Sequence, residues 1–118
     1  MINVLKNQDE NLIVVRAHGG LEKNDFEKIN PVLEEFSKNS NQIKLFIELE
    51  EISNIQPDAL MEDMRSYLRY NDAIKQIAVV GNKDWERIFT RLSEPFVSAE
   101  VRYFPESRSL EALNWIES

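Results

Sequence analysis

Residues suited to nucleophilic catalysis are scarce in this chain. His18 is its only histidine and cysteine is absent, so a Ser–His or Cys–His arrangement would depend on one imidazole. His18 precedes Gly19-Gly20 at the predicted end of a strand, where an exposed imidazole is common. Gly-x-Ser-x-Gly, Walker and dinucleotide-binding signatures are all absent, and three glycines are too few for a glycine-rich phosphate loop. We therefore expect that the protein is not an enzyme.

Carboxylates are the other groups that could perform chemistry, by holding a metal ion. Glu48, Glu50 and Glu51 lie at the end of a predicted strand, where alternation sends neighbouring side chains to opposite faces. They would converge on one ion only if the following loop folded back. Glu62 and Asp63 lie on the predicted outer face of a helix. We expect neither a metal nor a cofactor.

Candidate binding residues lie where the predicted strands end. Glu48 is near the end of one strand, the turn Gly81-Asn82-Lys83-Asp84 follows the next, and Arg102 and Tyr103 alternate on the last. The carboxyl ends of parallel strands share one edge of a sheet, where α/β proteins bind ligands, and a strand-to-helix turn offers amide groups to an anion. A structural interpretation competes, with Asn82 as a helix N-cap and Glu48 as half of a cross-strand ion pair.

Two βα units must position these residues. Lys44–Leu49 leads through a polar loop to a helix that begins at Pro57. Gln76–Gly81 leads directly to a helix in which Trp85, Ile88, Phe89 and Leu92 have the spacing of a buried stripe. Strands that alternate with helices predict a largely parallel sheet.

The N-terminal segments predict a hairpin and a helix. Ile2–Leu5 and Leu12–His18 are β-prone runs joined by a short polar stretch, which is typical of an antiparallel hairpin. Asn24 and Glu27 resemble a helix start, and Asn30-Pro31 resembles a second one. We therefore expect a kinked or two-part helix here.

The C-terminal segments complete the predicted fold. Val97–Phe104 predicts the last strand, and Ser107–Ile116 predicts a final helix with Leu110, Leu113 and Ile116 facing inward. Residues 1–118 are then predicted to be one α/β domain. Its five strands form a mixed, mostly parallel sheet with an N-terminal hairpin and four to five helices.

Composition excludes several classes of partner. The net charge is −7, with 14 Lys and Arg against 21 Asp and Glu, so binding to nucleic acid or to anionic lipid is not expected. The sequence starts without the pattern of a signal peptide, and no apolar run approaches the roughly 20 residues that span a bilayer. The absence of cysteine is compatible with the cytoplasm, which is the expected location.

Several strings, in this order, resemble a known family. They are Gly20-Leu21 with Asp25-Phe26, Leu45–Leu49, Ile77–Gly81 with Trp85, Val101–Phe104 and Glu111–Ile116. The chain resembles the SpoIIAA-like proteins of the STAS superfamily (sulfate transporter and anti-sigma-factor antagonist), in the branch that is also similar to the lipid-binding CRAL-TRIO fold. The resemblance implies a bacterial, non-catalytic interaction module.

The resemblance also identifies a departure from the family pattern. Anti-sigma antagonists have Asp-Ser-Ser-Gly-Leu after the central strand, and its second serine is phosphorylated. Here Gln56-Pro57-Asp58-Ala59-Leu60 occupies that place, so Asp58 replaces the phosphorylated serine and a serine kinase has no acceptor. Asp58 could imitate the phosphorylated state, but we favour a first-turn aspartate that stabilises a helix by about 0.3–1 kcal/mol. The candidate binding residues are then Glu48, Asp58, Gly81, Asn82, Lys83, Trp85, Arg102 and Tyr103.

Three functional hypotheses follow. The first is a module that docks a protein partner. The second is a carrier or sensor of a lipid-like molecule, because the chain is rich in aromatic and methionine residues that could line an apolar cavity, although such residues usually form the core. These residues are Phe26, Phe36, Phe46, Met61, Met64, Phe89, Phe96 and Trp115. The third is an enzyme that uses His18 or Glu48. Homodimerisation is expected if an edge strand, such as Val97–Phe104 or the first hairpin, is uncovered.

Overall fold

The computed structural model describes residues 1–20, 25, 27–39, 42–53, 73–82 and 99–118. Five strands are present, and their bounds are β1 (Ile2–Asn7), β2 (Leu12–Gly20), β3 (Ile43–Ser53), β4 (Ile74–Gly81) and β5 (Glu100–Pro105). The α-helices of the described residues are α1 (Ile29–Asn39) and α2 (Ser109–Glu117), and a 3-10 turn (Glu106–Arg108) leads into α2. The predicted helices that begin at Pro57 and contain Trp85 lie outside the described residues.

The strands form one sheet in the order β1-β2-β3-β4-β5. β1 and β2 are antiparallel, whereas β2–β3, β3–β4 and β4–β5 are parallel. The predicted hairpin is therefore confirmed. Its connection contains a 3-10 turn (Gln8–Glu10) and Asn11 at a φ of 54°, a left-handed conformation that asparagine tolerates better than most residues.

Alternation along the strands divides the core into two clusters, one on each face of the sheet. The α1-side cluster joins the sheet to α1 and contains Ile2, Ile13, Val15, Ala17, Val32, Leu33, Phe36, Ile43, Leu45, Ile74 and Ile77. The α2-side cluster contains Leu12, Phe46, Ala78, Val80, Ala112 and Ile116. The prediction that Leu45 and Phe46 point to opposite faces is confirmed.

The described residues agree with the two-part helix predicted near residue 30, and its second part begins two residues earlier than predicted. Glu27 is helical, Lys28 is a turn, and α1 begins at Ile29 rather than after an Asn30 cap. Pro31 consequently lies in the first turn, where its missing N–H breaks no helical hydrogen bond.

The final helix differs from its prediction at one apolar residue. Ala112 and Ile116, at i and i+4, are fully buried against the sheet, and Leu113 is half-buried beside them. Leu110 was predicted to face inward, but that prediction is wrong, because its side chain is 70% exposed. At about 100° per residue Leu110 lies about 200° around the helix from Ala112, so packing Ala112 on the sheet turns Leu110 outward.

No helix of the described segments is long and apolar enough to cross a lipid bilayer.

Candidate functional site

An open cleft of about 430 Å³ lies at the carboxyl edge of the sheet. It is formed where β2, β3 and β4 end and where the chain turns from β5 into α2. Its lining residues are His18, Glu48, Leu49, Glu50, Glu51, Val80, Glu106 and Ser109. This is the edge at which the predicted parallel strands were expected to place a binding site. We refer to it as the carboxyl-edge cleft.

Glu48 lies on the wall of the cleft and forms a cross-strand ion pair. The ladder places Arg16 of β2 directly opposite Glu48 of β3. The Arg16 Nε lies 3.2 Å from the Glu48 Oε2, with the arginine side chain 56% exposed and the glutamate 21% exposed. An ion pair this accessible to water contributes at most about 1 kcal/mol to stability. The structural interpretation of Glu48 is thus confirmed, although the residue also lines the cleft.

A β-bulge brings Glu51 into the same cleft. His18 pairs with Glu50, but Gly20 pairs with Ser53, so β3 has one more residue than β2 between these two pairs. Gly19 has a φ of 71° and Glu51 a φ of 45°. The left-handed conformation costs a non-glycine residue about 1–2 kcal/mol, which makes Glu51 a strained position. The strand alternation expected to separate Glu51 from Glu50 does not continue through this bulge.

The bulge also places Glu51 beside the single histidine. The His18 Nε2 lies 3.6 Å from the Glu51 Oε2, so the two side chains form an ion pair when the imidazole is protonated. Both are well exposed. Ser109 lines the same cleft, but no hydrogen bond joins it to His18 in the described part of the chain.

The far wall of the cleft comes from the start of α2. Pro105 ends β5 in an extended conformation, and the 3-10 turn that follows presents Glu106 to the cleft. Glu106 and Glu50 are both exposed, and neither forms an ion pair with any described residue. Their carboxylates therefore keep their capacity to accept hydrogen bonds. Across the described ranges, no three acidic or histidine side chains are grouped so that they could hold a metal ion.

Arg102 lies on β5, outside the lining of the cleft. Its Nε and a terminal nitrogen donate to the Glu100 Oε1 at 3.1 and 2.8 Å, and its Cζ lies 4.8 Å from the centre of the Trp115 ring. Phe104 packs against the same indole, with 6.1 Å between ring centres. A cation–π contact at an exposed site contributes about 0.5–1 kcal/mol. Arg102 thus helps to attach α2 to the sheet.

Tyr103, Gly81 and Asn82 form a second group near the ends of β4 and β5. The Tyr103 hydroxyl donates a hydrogen bond to the Asn82 carbonyl, and Gly81 is buried opposite Pro105 in the ladder. The structure therefore brings Tyr103 and Asn82 together, but of the predicted binding residues that the structure describes, only Glu48 lines the cleft. Asp58, Lys83 and Trp85 lie outside the described residues.

The predicted binding set omitted most of the cleft residues. Glu48 and Glu50 share a strand face, and that pattern alone could have added Glu50. Glu51 gave no such signal, since its sequence context lacks the glycine or proline that often marks a bulge. Glu106 and Ser109 follow β5, and only the fold brings them to β3.

Comparison with known proteins identifies relatives by sequence and by fold. The family model described as SpoIIAA-like matches residues 12–117. No protein with a curated description matches the sequence. A solved structure of a DUF3478-family protein with a SpoIIAA-like fold, from Shewanella loihica PV-4, is 25% identical. That comparison covers 98% of this chain and 92% of the other, with a TM-score of 0.66.

A second solved structure shares the fold at low sequence identity. It is the complex of the diguanylate cyclase SiaD with its activator SiaC from Pseudomonas aeruginosa. One of its chains is 9% identical, with a TM-score of 0.58, and the comparison covers 88% of this chain and 93% of that one. At this identity the likeness concerns the fold alone.

Proposed function

The chain belongs to the SpoIIAA-like family, and from this membership we propose that it is a non-catalytic module that binds a partner protein through the carboxyl-edge cleft. The observation that supports this most directly is the form of the cleft. It is open, its volume is about 430 Å³, and the Glu50 and Glu106 carboxylates at its rim form no ion pair with any described residue. Such a volume accommodates a few side chains of a partner.

The chemistry of the rim favours a positively charged segment of the partner. Glu50 and Glu106 present exposed carboxylates, whereas the charge of Glu48 is compensated by Arg16. An arginine can bind a carboxylate through two parallel hydrogen bonds, and a lysine can bind it as a point charge. The net charge of −7 would attract such a partner at long range and increase its association rate.

The floor of the cleft supplies the apolar part of the proposed contact. Val80 is buried in the α2-side cluster, whereas Leu49 of β3 is half-buried and packs against the α1-side cluster, so the two residues bring apolar surface to the cleft from opposite faces of the sheet. An apolar centre with a polar rim is the usual arrangement of a protein-binding surface. The stem of a lysine or arginine could lie on this floor while its charged end reaches the rim.

The fold of the family is compatible with partner binding. A chain with this fold occurs in the complex of a diguanylate cyclase with its activator. That complex supports an interaction role for the fold and leaves open which surface of the present chain is used.

The alternative of a lipid-like ligand has less support from the described residues. Phe36 and Phe46, two members of the aromatic supply, are buried in the two core clusters, and Trp115 packs against Phe104 and Arg102. These side chains serve the core and the attachment of α2. Phe26, Met61, Met64, Phe89 and Phe96 lie outside the described residues.

Charge reversal at the cleft tests the proposal. We expect Glu50→Lys combined with Glu106→Lys to reduce partner capture at least tenfold, because two acceptors become like charges facing a basic segment. The measurement is quantitative mass spectrometry of proteins captured from a lysate of the source organism on immobilised wild type and variant. Both positions are exposed, so the stability should change by no more than about 0.5 kcal/mol per substitution.

The matched control is Glu34→Lys combined with Glu117→Lys. These residues are also exposed, lie outside the cleft, and change the net charge by the same amount. The control should capture the partner as the wild type does. Equal capture by the cleft variant would exclude the cleft as the docking surface, and failure of the wild type to capture any specific protein would contradict the interaction role.

A further inference from the structure

The edge of the sheet formed by β1 has backbone groups that nothing in the described structure satisfies. The His18 N–H donates to the Met1 carbonyl at 2.9 Å, so Met1 and His18 form a hydrogen-bonded pair. Such pairs alternate along an antiparallel ladder, and the register then assigns Asn3 and Leu5 to hydrogen bonding with β2. The N–H and C=O groups of Ile2, Val4 and Lys6 consequently point away from β2. None of them has a partner among the described residues.

This edge carries little of the protection that usually prevents strands from pairing. Natural edge strands are protected by charges, prolines or bulges. β1 pairs with β2 without a register shift over Ile2–Asn7, contains no proline and has Lys6 as its only charged residue. The strand at the opposite edge, β5, contains Glu100, Arg102 and Pro105. β1 is therefore the less protected of the two edges.

An exposed leucine lies in the middle of this edge. Ile2 and Val4 face the α1-side cluster, so Asn3, Leu5 and Asn7 face the opposite side of the sheet. Leu5 is 52% exposed there. Covering Leu5 would remove its apolar surface from water, which favours association.

We propose that β1 pairs with β1 of a second copy, antiparallel, around a two-fold axis at Leu5. This register places Leu5 opposite Leu5, Asn3 opposite Asn7, and Val4 opposite Lys6 of the second copy. The outward groups of Val4 and Lys6 then exchange backbone hydrogen bonds on both sides of the axis. The two five-stranded sheets become one continuous sheet.

The sequence of β1 favours a second copy over an unrelated strand. Under the two-fold operation the strand can pair with itself, because Leu5 faces Leu5, Asn3 faces Asn7 and no like charges stand directly opposite. Lys6 lies near the axis, but its Nζ is 3.3 Å from the Glu35 Oε2 of the same copy, which compensates its charge. None of the cleft residues lies on β1. The dimer proposal can therefore be wrong while the proposed function is right, and the proposed function can be wrong while the dimer proposal is right.

Cysteine cross-linking tests the dimer and its register together. Leu5→Cys would be the only cysteine of the chain. In the proposed register the two Leu5 residues form a non-hydrogen-bonded pair, because their backbone groups point toward β2 of their own copy. The Cα atoms of such a pair are about 4.5 Å apart, which is within the roughly 4.4–6.8 Å of a disulfide. Under mild oxidation at micromolar concentration and 0.15 M salt, most of the variant should become a disulfide-linked dimer. Leu110→Cys is the control, since Leu110 is also exposed but lies on α2. We expect it to cross-link at least tenfold more slowly.

Light scattering with size-exclusion chromatography provides an independent measurement without a new thiol. The wild type should have twice the chain mass at tens of micromolar, and Val4→Pro should have the monomer mass. Proline removes an N–H that points outward and leaves the β1–β2 hydrogen bonds in place. A monomeric wild type, a dimer that persists in a folded Val4→Pro variant, or equal cross-linking of the two cysteine variants would each overturn the proposal. The cross-linking result decides the question if Val4→Pro does not fold.

Discussion

Replacing Ile116 with alanine should lower the free energy of unfolding by about 2–5 kcal/mol. Ile116 is fully buried in the α2-side cluster, together with Ala112 and Ala78. The two alanines allow α2 to approach the sheet closely. Neighbouring side chains therefore cannot move far enough to fill the space that the isoleucine side chain would leave. The substitution would therefore leave a cavity between α2 and the sheet.

Chemical denaturation measures this effect, with Leu110→Ala as the control. Leu110 lies on the same helix and loses the same kind of apolar side chain, but it is 70% exposed. Its replacement should change the stability by no more than about 0.5 kcal/mol. Similar losses for the two variants, with unchanged denaturant dependence, would mean that α2 does not pack on the sheet through Ala112 and Ile116.

Replacing Ile13 with alanine should have a comparable effect on the other face of the sheet. Ile13 lies on β2 between β1 and β3, is fully buried, and belongs to the α1-side cluster. The expected loss is again about 2–5 kcal/mol, because the removed atoms leave a cavity in a close-packed region.

A graded pair of variants separates this packing effect from a general disturbance of β2. Ile13→Val removes one methylene and keeps the β-branched shape that suits a strand, so it should cost only about 0.5–1.5 kcal/mol. Both variants can be measured by urea unfolding monitored by circular dichroism. Equal losses for Val and Ala, or a loss below about 1 kcal/mol for Ala, would contradict the assignment of Ile13 to the core.

The strands could be predicted from the sequence because their physical signals are local. Alternation from Ile43 to Glu50 and the apolar run at Ile77–Val80 reflect which faces of the sheet are covered, and the structure agrees with both. Boundaries moved by a few residues, as in β5, which begins at Glu100 rather than Val97. The SpoIIAA-like family was also identified correctly from strings distributed along the chain.

The cleft could be predicted only in its location. Parallel strands predict which edge of a sheet holds a site, but they do not predict a β-bulge at Glu51, whose left-handed φ lies at the register shift between the His18–Glu50 and Gly20–Ser53 pairs. The opposite wall depends on how the turn after Pro105 places Glu106, which is set by packing of α2. The error at Leu110 has the same origin, since the choice of the buried helix face is tertiary.

The strained residue lies where the proposed contact would form. Glu51 is the position in the cleft whose backbone conformation favours glycine, yet it has a long acidic side chain beside His18. Strain of this kind concentrates at functional sites because the surrounding structure must compensate for it. This supports the carboxyl-edge cleft as the docking surface independently of its charge.

Carboxylate footprinting of the chain with its captured partner tests that docking surface most directly. Side-chain carboxylates are converted to amides with a carbodiimide and a small amine, and mass spectrometry quantifies each site with and without the partner. Glu50, Glu51 and Glu106 should be modified several times more slowly in the complex, while Glu34 and Glu117 should react at unchanged rates. Equal modification of the three cleft residues in the free and bound chain, with protection elsewhere, would contradict the account.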